Sequence, residues 1–329
     1  MKLPRRQFLH LAAGAAALPV LPHFARAQTY PSRPVTIIVP VPPGGVADPI
    51  ARILADHLTV TLGQPVVVEN VTGAGGSIGV GRAARAARDG YTVSIGNWLS
   101  HVGASAVYPV QYDVLKDFEA ISLLTNSPIL ITARKDFPAN DLKELIAWLK
   151  ANPDKATCAT VGAGSAAHVS GVYFQRATGT RFQFVPYRGG GPAVQDEVAG
   201  HVDLMFNEAT GALPYVRSGE VKTYAVLATT RWFAAPDIPT SEELGVPGIN
   251  ISFWHGLWVP KGTPKEIVAK LNAAVVDALA EATVRKRLTD IGQEIFPRDK
   301  QTPETLYAFH KAEIDKWWPI IKAAGIKAE

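Results

Sequence analysis

A serine in a glycine frame, scattered histidines and four glycine-rich turns are the features of this chain that could do chemistry. Gly75-Gly76-Ser77-Ile78-Gly79 has the G-x-S-x-G form in which a sharp strand-to-helix turn exposes a nucleophile. That elbow needs its serine directly at a strand end, and the preceding apolar run stops at Glu69. Helix capping by Ser77 is therefore the stronger reading. Gly162-Ala163-Gly164-Ser165-Ala166-Ala167 imitates a dinucleotide fingerprint, yet the strand Phe182-Gln183-Phe184-Val185 ends without the acidic ribose ligand such a site uses. Ser165 and His168, three apart at a helix start, read either as a capping serine with an edge histidine or as cleft donors to an anion. His101, His168, His201 and His255 lack H-x-x-x-H or H-x-x-E-H spacing, so neither a metal nor a cofactor is expected. Arg188, beside three glycines, suits either a ligand carboxylate or a surface ion pair.

The repetition carries more weight than any single motif. Gly44-Gly45, the stretch 73–76, the stretch 162–164 and Gly189-Gly190-Gly191 each introduce a helix. A glycine turn feeding a helix leaves unpaired N–H groups and a partial positive charge, which together make a seat for an anion. Several such turns on one cleft would form a mostly backbone-lined anion site, refined by Ser100, Ser165 and Asn207.

The elements that must position these turns are legible. Val35-Thr36-Ile37-Ile38-Val39 is a continuous β-rich run, expected as a strand covered on both faces. Ile50, Ile53, Leu54, Leu58 and Leu62 recur at helical spacing behind Pro40-Val41-Pro42-Pro43-Gly44-Gly45, and Gly63 ends the run. Asp48 reads as an N-cap or as a first-turn acid. Val66-Val67-Val68-Glu69 predicts a second buried strand and residues 91–95 a third, giving β-α-β-α-β. Residues 97–109 read as a polar loop with one aromatic, Trp98. The second half repeats the logic, with strands at 156–161, 182–185, 202–206 and 222–228. Three helices (265–280, 283–291 and 302–323) are expected to cover the first lobe, the face bearing Trp317 and Trp318 serving as core. The fold class expected is α/β: two lobes, each an open, mainly parallel sheet flanked by helices, with a ligand cleft between them. Its bounds are 1–27 as an export signal, 28–127 with 256–329 as lobe 1, and 128–255 as lobe 2.

Lys2, Arg5 and Arg6 precede an apolar run to Leu21, and Ala25-Arg26-Ala27 has the A-x-A form of a cleavage site. Arg5-Arg6-Gln7-Phe8-Leu9 resembles a twin-arginine signal, so a periplasmic product starting at Gln28 is expected. Four of the 33 Lys and Arg lie in that leader, leaving 29 against 29 Asp and Glu. The mature chain is formally neutral and has no basic, aromatic-interleaved run, which argues against nucleic acid. Cys158 is alone, excluding an internal disulfide.

Tyr30-Pro31-Ser32-Arg33-Pro34 with residues 39–48 resembles the opening of the tripartite tricarboxylate transporter receptors, the Bug-type solute-binding proteins. Gly63-Gln64-Pro65-Val66-Val67-Val68-Glu69-Asn70, Gly73-Ala74-Gly75-Gly76, Pro186-Tyr187-Arg188-Gly189-Gly190 and Gly200-His201-Val202-Asp203-Leu204-Met205-Phe206 resemble the family too, over essentially the whole mature chain. The resemblance implies a non-catalytic, monomeric Venus flytrap that captures a small organic carboxylate for two membrane subunits. It implies that Val41, Pro43, Gly44 and Gly45, with Gly73, Ala74, Gly75, Gly76 and Ser77, hold the carboxylate, often through waters. Ser165, His168 and Asn207 would add contacts from the second lobe, and Trp98, Ser100 and His101 complete the candidate site. Asn207 stands where many relatives carry aspartate, which disfavours an amino-acid ligand. Val41 replaces a frequent phenylalanine, and Trp98 would either stack on an aromatic acid or fill the cleft mouth. The alternatives are an exported hydrolase using Ser77 and a receptor presenting ligand to a sensor kinase.

Overall fold

The computed structural model describes residues 30–248 and 250–327, so the expected export signal lies outside the described residues. Its first sheet orders five strands as β2 (Val66–Asn70), β1 (Val35–Val39), β3 (Thr92–Asn97), β11 (His255–Pro260) and β4 (Phe118–Leu123). Its second runs β10 (Val221–Val226), β6 (Ile129–Arg134), β9 (Leu204–Glu208), β7 (Thr157–Thr160) and β8 (Gln183–Pro186). Both sheets are mixed rather than mainly parallel. β1 runs parallel to β2 and β3, whereas β11 is antiparallel to β3 and β4. In the second sheet β7 is parallel to β8 and β9, while β6 is antiparallel to β9 and β10. The reversal in the first sheet follows from the chain path, because β11 re-enters that sheet from the other lobe.

Two antiparallel segments carry the chain between lobes. The Ser127 N–H donates to Phe253 O at 3.2 Å and the Phe253 N–H to Ser127 O at 2.7 Å. Beside them β5 (Thr125–Asn126) pairs with β12 (Glu294–Ile295). The Gln293 amide donates to the Thr210 hydroxyl at 2.7 Å, and that hydroxyl donates to Ser127 Oγ at 3.1 Å, so this junction is polar as well as apolar.

Val35, Ile37, Ile38 and Val39 are all buried, as their continuous apolar run requires. Helix α1 (Ala47–Leu62) buries Ile50, Ile53, Leu54, Leu58 and Leu62 against that sheet and ends on Gly63 in the left-handed region at φ 69°. β2 differs from expectation: Val67 is 49 % exposed, because β2 is an edge strand and its outer residues find no neighbour. The stretch after β3 differs more. It winds into a π-helical turn (Leu99–Gly103) and a short helix α3 (Ala104–Val107), following α2 (Ser77–Ala84) in the chain.

In the second lobe α4 (Leu142–Ala151), α5 (Ala166–Thr178), α6 (Gly190–Val198) and α7 (Ala209–Ser218) flank the sheet. Helix α7 had no clear sequence signal, since Gly211 and Pro214 interrupt it and it buries only Ala209, Ala212 and Leu213. After α8 (Lys265–Ala280) and α9 (Ala282–Asp290), helix α10 (Pro303–Ala323) opens on a Thr302 cap that accepts from the Thr305 N–H. Its expected role was to cover the first lobe. It also reaches the second, where Trp317 meets Tyr173 edge-on at 6.5 Å and Arg176 donates to Ala323 O at 3.1 Å.

Glu197 lies fully buried under the second sheet, where the Thr132 hydroxyl donates to its Oε1 at 2.7 Å. Burial pushes its carboxyl from the ordinary 4.5 up to about 8, against the smaller opposing pull of that hydroxyl. The folded state therefore holds this proton while the unfolded chain releases it, so stability is lost as pH rises from 4.5 toward 8. Buried His255 and His310, depressed by burial from 6.5 to about 3 and about 4, act in the opposite direction below pH 6.5. The interval from pH 6.5 to 8 thus leaves those histidines out, and since burial also raises the Glu208 and Glu313 carboxyls, the Glu197 share is read as the difference between parent and variant. Glu197→Gln should remove a loss of roughly 2 kcal/mol across it, at 1.36 kcal/mol per pKa unit. Urea unfolding at both pH values checks this, and an identical pH slope in the two proteins would contradict it.

Candidate ligand-binding site

The first glycine turn follows β1 but is not an open anion seat. Gly44 adopts φ 80°, and its N–H donates to Asp48 Oδ2 at 3.0 Å. The same carboxylate accepts from Arg52 Nε at 3.1 Å and Asn70 Nδ2 at 3.0 Å, and Asp48 is only 5 % exposed. Burial alone would raise the Asp48 pKa, but hydrogen bonds from Arg52, Gly44 and Asn70 bring it below 3.8. Asp48 is a first-turn acid that occupies the positive end of α1 from within. The Gly45 N–H is also taken, by Pro42 O at 3.0 Å. Gly44 and Gly45 were expected to donate to a ligand, and their donors are already spent internally. Pro43 has no N–H. The Val41 N–H has no partner among the described residues, while Val41 O accepts from Asn70 Nδ2 at 3.0 Å, which fixes the start of the turn.

The second turn keeps its donors. Gly73, Ala74, Gly75 and Gly76 take φ values of 124°, 47°, 64° and 92° in succession. Ala74 and Asp154 are the two non-glycine residues with positive φ among the described residues, and such strain concentrates at functional sites. The turn closes through the Gly76 N–H to Gly73 O at 2.9 Å and the Ser77 N–H to Ala74 O. The N–H groups of Gly73, Ala74 and Gly75 have no partner among the described residues. A Cβ on Gly76 would lie 3.0 Å from Pro40 O, so this turn packs directly on the start of the first. Ser77 was expected to cap α2. Gly76 holds the N-cap position instead, with no side-chain cap, and Ser77 begins the helix well past the end of β2.

Trp98, Ser100 and His101 were expected at the cleft and lie inside the first lobe. The π-helical turn rolls Trp98 and His101 inward, toward α10, while Ser100 packs behind the second turn, its Cβ 3.1 Å from where a Gly76 side chain would begin. Trp98 has no exposure and meets Trp317 edge-on at 5.8 Å, so it neither fills the cleft mouth nor offers a face to a ring. Ser100 Oγ bonds Asn97 Oδ1 at 3.2 Å and His101 Nδ1 at 3.0 Å. His101 stacks on Trp258 at 4.0 Å, and burial, with His310 adding, keeps its imidazole neutral. What the segment presents outward is α3 and its flanks. Tyr108 Cε2 and Ala104 Cβ lie 3.1 and 3.3 Å from where a Gly75 side chain would begin, so they wall the second turn. The polar-loop reading missed Gly103, Ala104, Val107 and Tyr108, and only the small-residue run from Gly103 to Ala106 hinted at close packing.

In the second lobe Ser165 is the N-cap of α5, its Oγ accepting from the His168 N–H at 3.1 Å. Ser165 is thus a capping serine. The His168 ring meets Phe184 edge-on at 4.5 Å. Asn207 lies within β9 opposite Leu130, 4 % exposed, and its Nδ2 is without a partner among the described residues. The third glycine turn meets the first lobe at Gly103 and Val107. The fourth caps α6 beside the outer strand β8, where Arg188 is exposed and forms no ion pair among the described residues.

Two mixed α/β sheets, a double crossing and glycine turns facing one another define a two-lobe solute-binding protein. Residues 50–326 match the profile described as tripartite tricarboxylate transporter family receptor. The chain belongs to that family, and within it to the Bug-type receptors. It is 35 % identical over 321 residues to protein BugT of Bordetella pertussis, covering 97 % of this chain and 96 % of that one. It resembles the structure of MatC from Rhodopseudomonas palustris with bound malate, at 40 % identity and TM-score 0.83, covering 89 % of this chain and 100 % of that one. It also resembles R. palustris Rpa4515 with adipate, at 32 % identity and TM-score 0.84, covering 91 % and 99 %.

Proposed function

We propose that this protein is an exported periplasmic receptor that captures a small organic carboxylate between its lobes and delivers it to the membrane subunits of a tripartite tricarboxylate-type transporter. The observation that carries the reading is the left-handed turn at residues 73–76, whose N–H groups at Gly73, Ala74 and Gly75 have no partner among the described residues, as is true of the Val41 N–H in the turn that it packs on. An ionised carboxylate has the lone pairs to accept several such donors, and charge-assisted bonds of this kind are about twice as strong as neutral ones. The ligand lies between lobe 1 (28–127 with 256–329) and lobe 2 (128–255), with Asn207 and the α5 start completing the cleft. Malate in one relative's structure and adipate in another's support a dicarboxylate. Asn207 brings no negative charge for an ammonium group, so amino acids should bind more weakly.

The test is a thermal-shift panel of malate, adipate, aliphatic and aromatic monocarboxylates, and amino acids against the mature chain. A ligand at a hundredfold excess over Kd stabilises by about 2.7 kcal/mol, which moves Tm by about 4 °C in a protein of this size. A dicarboxylate should give the largest shift. A larger shift with an amino acid, or none with any acid, would overturn the reading.

A further inference from the structure

Gly103 adopts φ −67° and ψ −51°, an ordinary helical conformation open to any residue, so backbone freedom does not explain glycine there. Space does. A methyl carbon built on Gly103 would lie 2.1 Å from the carbonyl oxygen of Gly164, on the opposite lobe, and 3.0 Å from Trp98 Cζ3. The relation is reciprocal: a methyl on Gly164 would lie 2.5 Å from Val107 Cγ2 and 3.2 Å from Gly103 O. Gly162, in the same turn, has nothing within 4 Å. Within this turn the close approach is confined to Gly164.

We propose that Gly103 and Gly164 form a backbone clasp that sets how far the lobes close, and through that the affinity for the captured ligand. This rests on the carboxylate-receptor reading above. Neither side of the clasp can yield locally. The π-helical turn is fastened to α10 by Trp318 Nε1 donating to Val102 O at 3.0 Å and His310 Nε2 donating to His101 O at 2.8 Å. On the other lobe the Ser165 N–H donates to Gly162 O at 3.2 Å and the Ser165 cap pins the start of α5. An added methyl must therefore be accommodated by parting the lobes, by roughly 1.2–1.5 Å at the clasp to restore an ordinary carbon–oxygen contact. Ala104, next to Gly103, also touches the Gly75 turn, so the clasp adjoins the free donors. A ligand gains only from the state in which both lobes reach it, and a variant that cannot reach that state binds more weakly.

The experiment uses Gly103→Ala in the full mature chain, titrated calorimetrically with malate and adipate. At least tenfold weaker binding of whichever acid the parent binds is expected, with an unliganded Tm within about 2 °C of the parent, as alanine suits helical backbone. If crowding of Trp98 lowers Tm instead, the inter-lobe distances below decide, because Gly164 holds φ 73° and an alanine there would strain its own turn. A second readout needs no ligand. Nitroxide labels at Val60→Cys and Phe233→Cys, exposed positions one on each lobe, report the inter-lobe distance in the parent and in Gly103→Ala. A short-distance population in the parent that the alanine variant lacks sustains the clasp. Binding within twofold of the parent, or the same distance distribution in both, overturns it. A parent that binds no acid while the distances still differ would defeat the carboxylate reading and leave the clasp standing.

Discussion

Replacing Gly75 by valine is expected to abolish carboxylate capture while leaving a folded protein. Gly75 holds φ 64° and ψ 19° in the middle of four consecutive positive-φ residues. A β-branched residue in that region costs on the order of 1–3 kcal/mol of local strain. The new Cβ would also start 3.1 Å from Tyr108 Cε2 and 3.3 Å from Ala104 Cβ, neither of which can swing aside freely beside the lobe contact. The turn must relax toward negative φ, and that rotates the N–H groups of Ala74 and Gly75 away from a common point. Losing two hydrogen bonds to a charged acceptor, at about 1.5–3 kcal/mol each, amounts to a hundredfold or more in affinity. The fold should survive, because Gly73 and Ala74 are exposed and of the turn only Gly76 is buried. Titration with malate and adipate, with circular dichroism to confirm the fold, makes the comparison. Affinity equal to the parent's would remove this turn from the site. Gly45→Val is the weaker probe, since the N–H of Gly45 is already committed to Pro42 O.

Trp98→Ala should cost stability and not selectivity. The indole is fully buried against Trp317, in a cluster where the Trp254 N–H donates to Glu313 Oε2 at 3.2 Å. Truncating a buried tryptophan removes its transfer energy and leaves a cavity, together about 3–5 kcal/mol. Because the ring lies between the first lobe and α10, the relative affinities for aromatic and aliphatic acids should be unchanged. Denaturant unfolding gives the first quantity and a ligand panel gives the second. A variant as stable as the parent but altered toward aromatic acids would return Trp98 to the cleft.

Most of the secondary structure was legible in the residues. The run from Val35 to Val39, the spacing of Ile50 through Leu62, and the long periodic segments that became α8 and α10 each state their own conformation. Local hydrophobic period is a property of the chain itself. The positions of the glycine turns were legible for the same reason, since φ above zero is a demand of the local backbone. The motifs at 39–48, 63–76, 186–190 and 200–206 were enough to indicate the family.

What the sequence could not decide was which partner each group meets. Val66-Val67-Val68 carries the same apolar signal at a sheet edge as in its centre, and only the strand order exposes Val67. The antiparallel entry of β11 depends on a chain path through the other lobe. The stretch 97–109 reads as a polar loop, yet the π-helical turn within it faces α10, more than 200 residues away, and that helix draws Trp98 and His101 inward. Both first turns have the glycines of an anion seat. Asp48 fills one from within, and nothing among the described residues fills the other, because a hydrogen-bond donor's fate is set by the acceptors that tertiary packing brings to it.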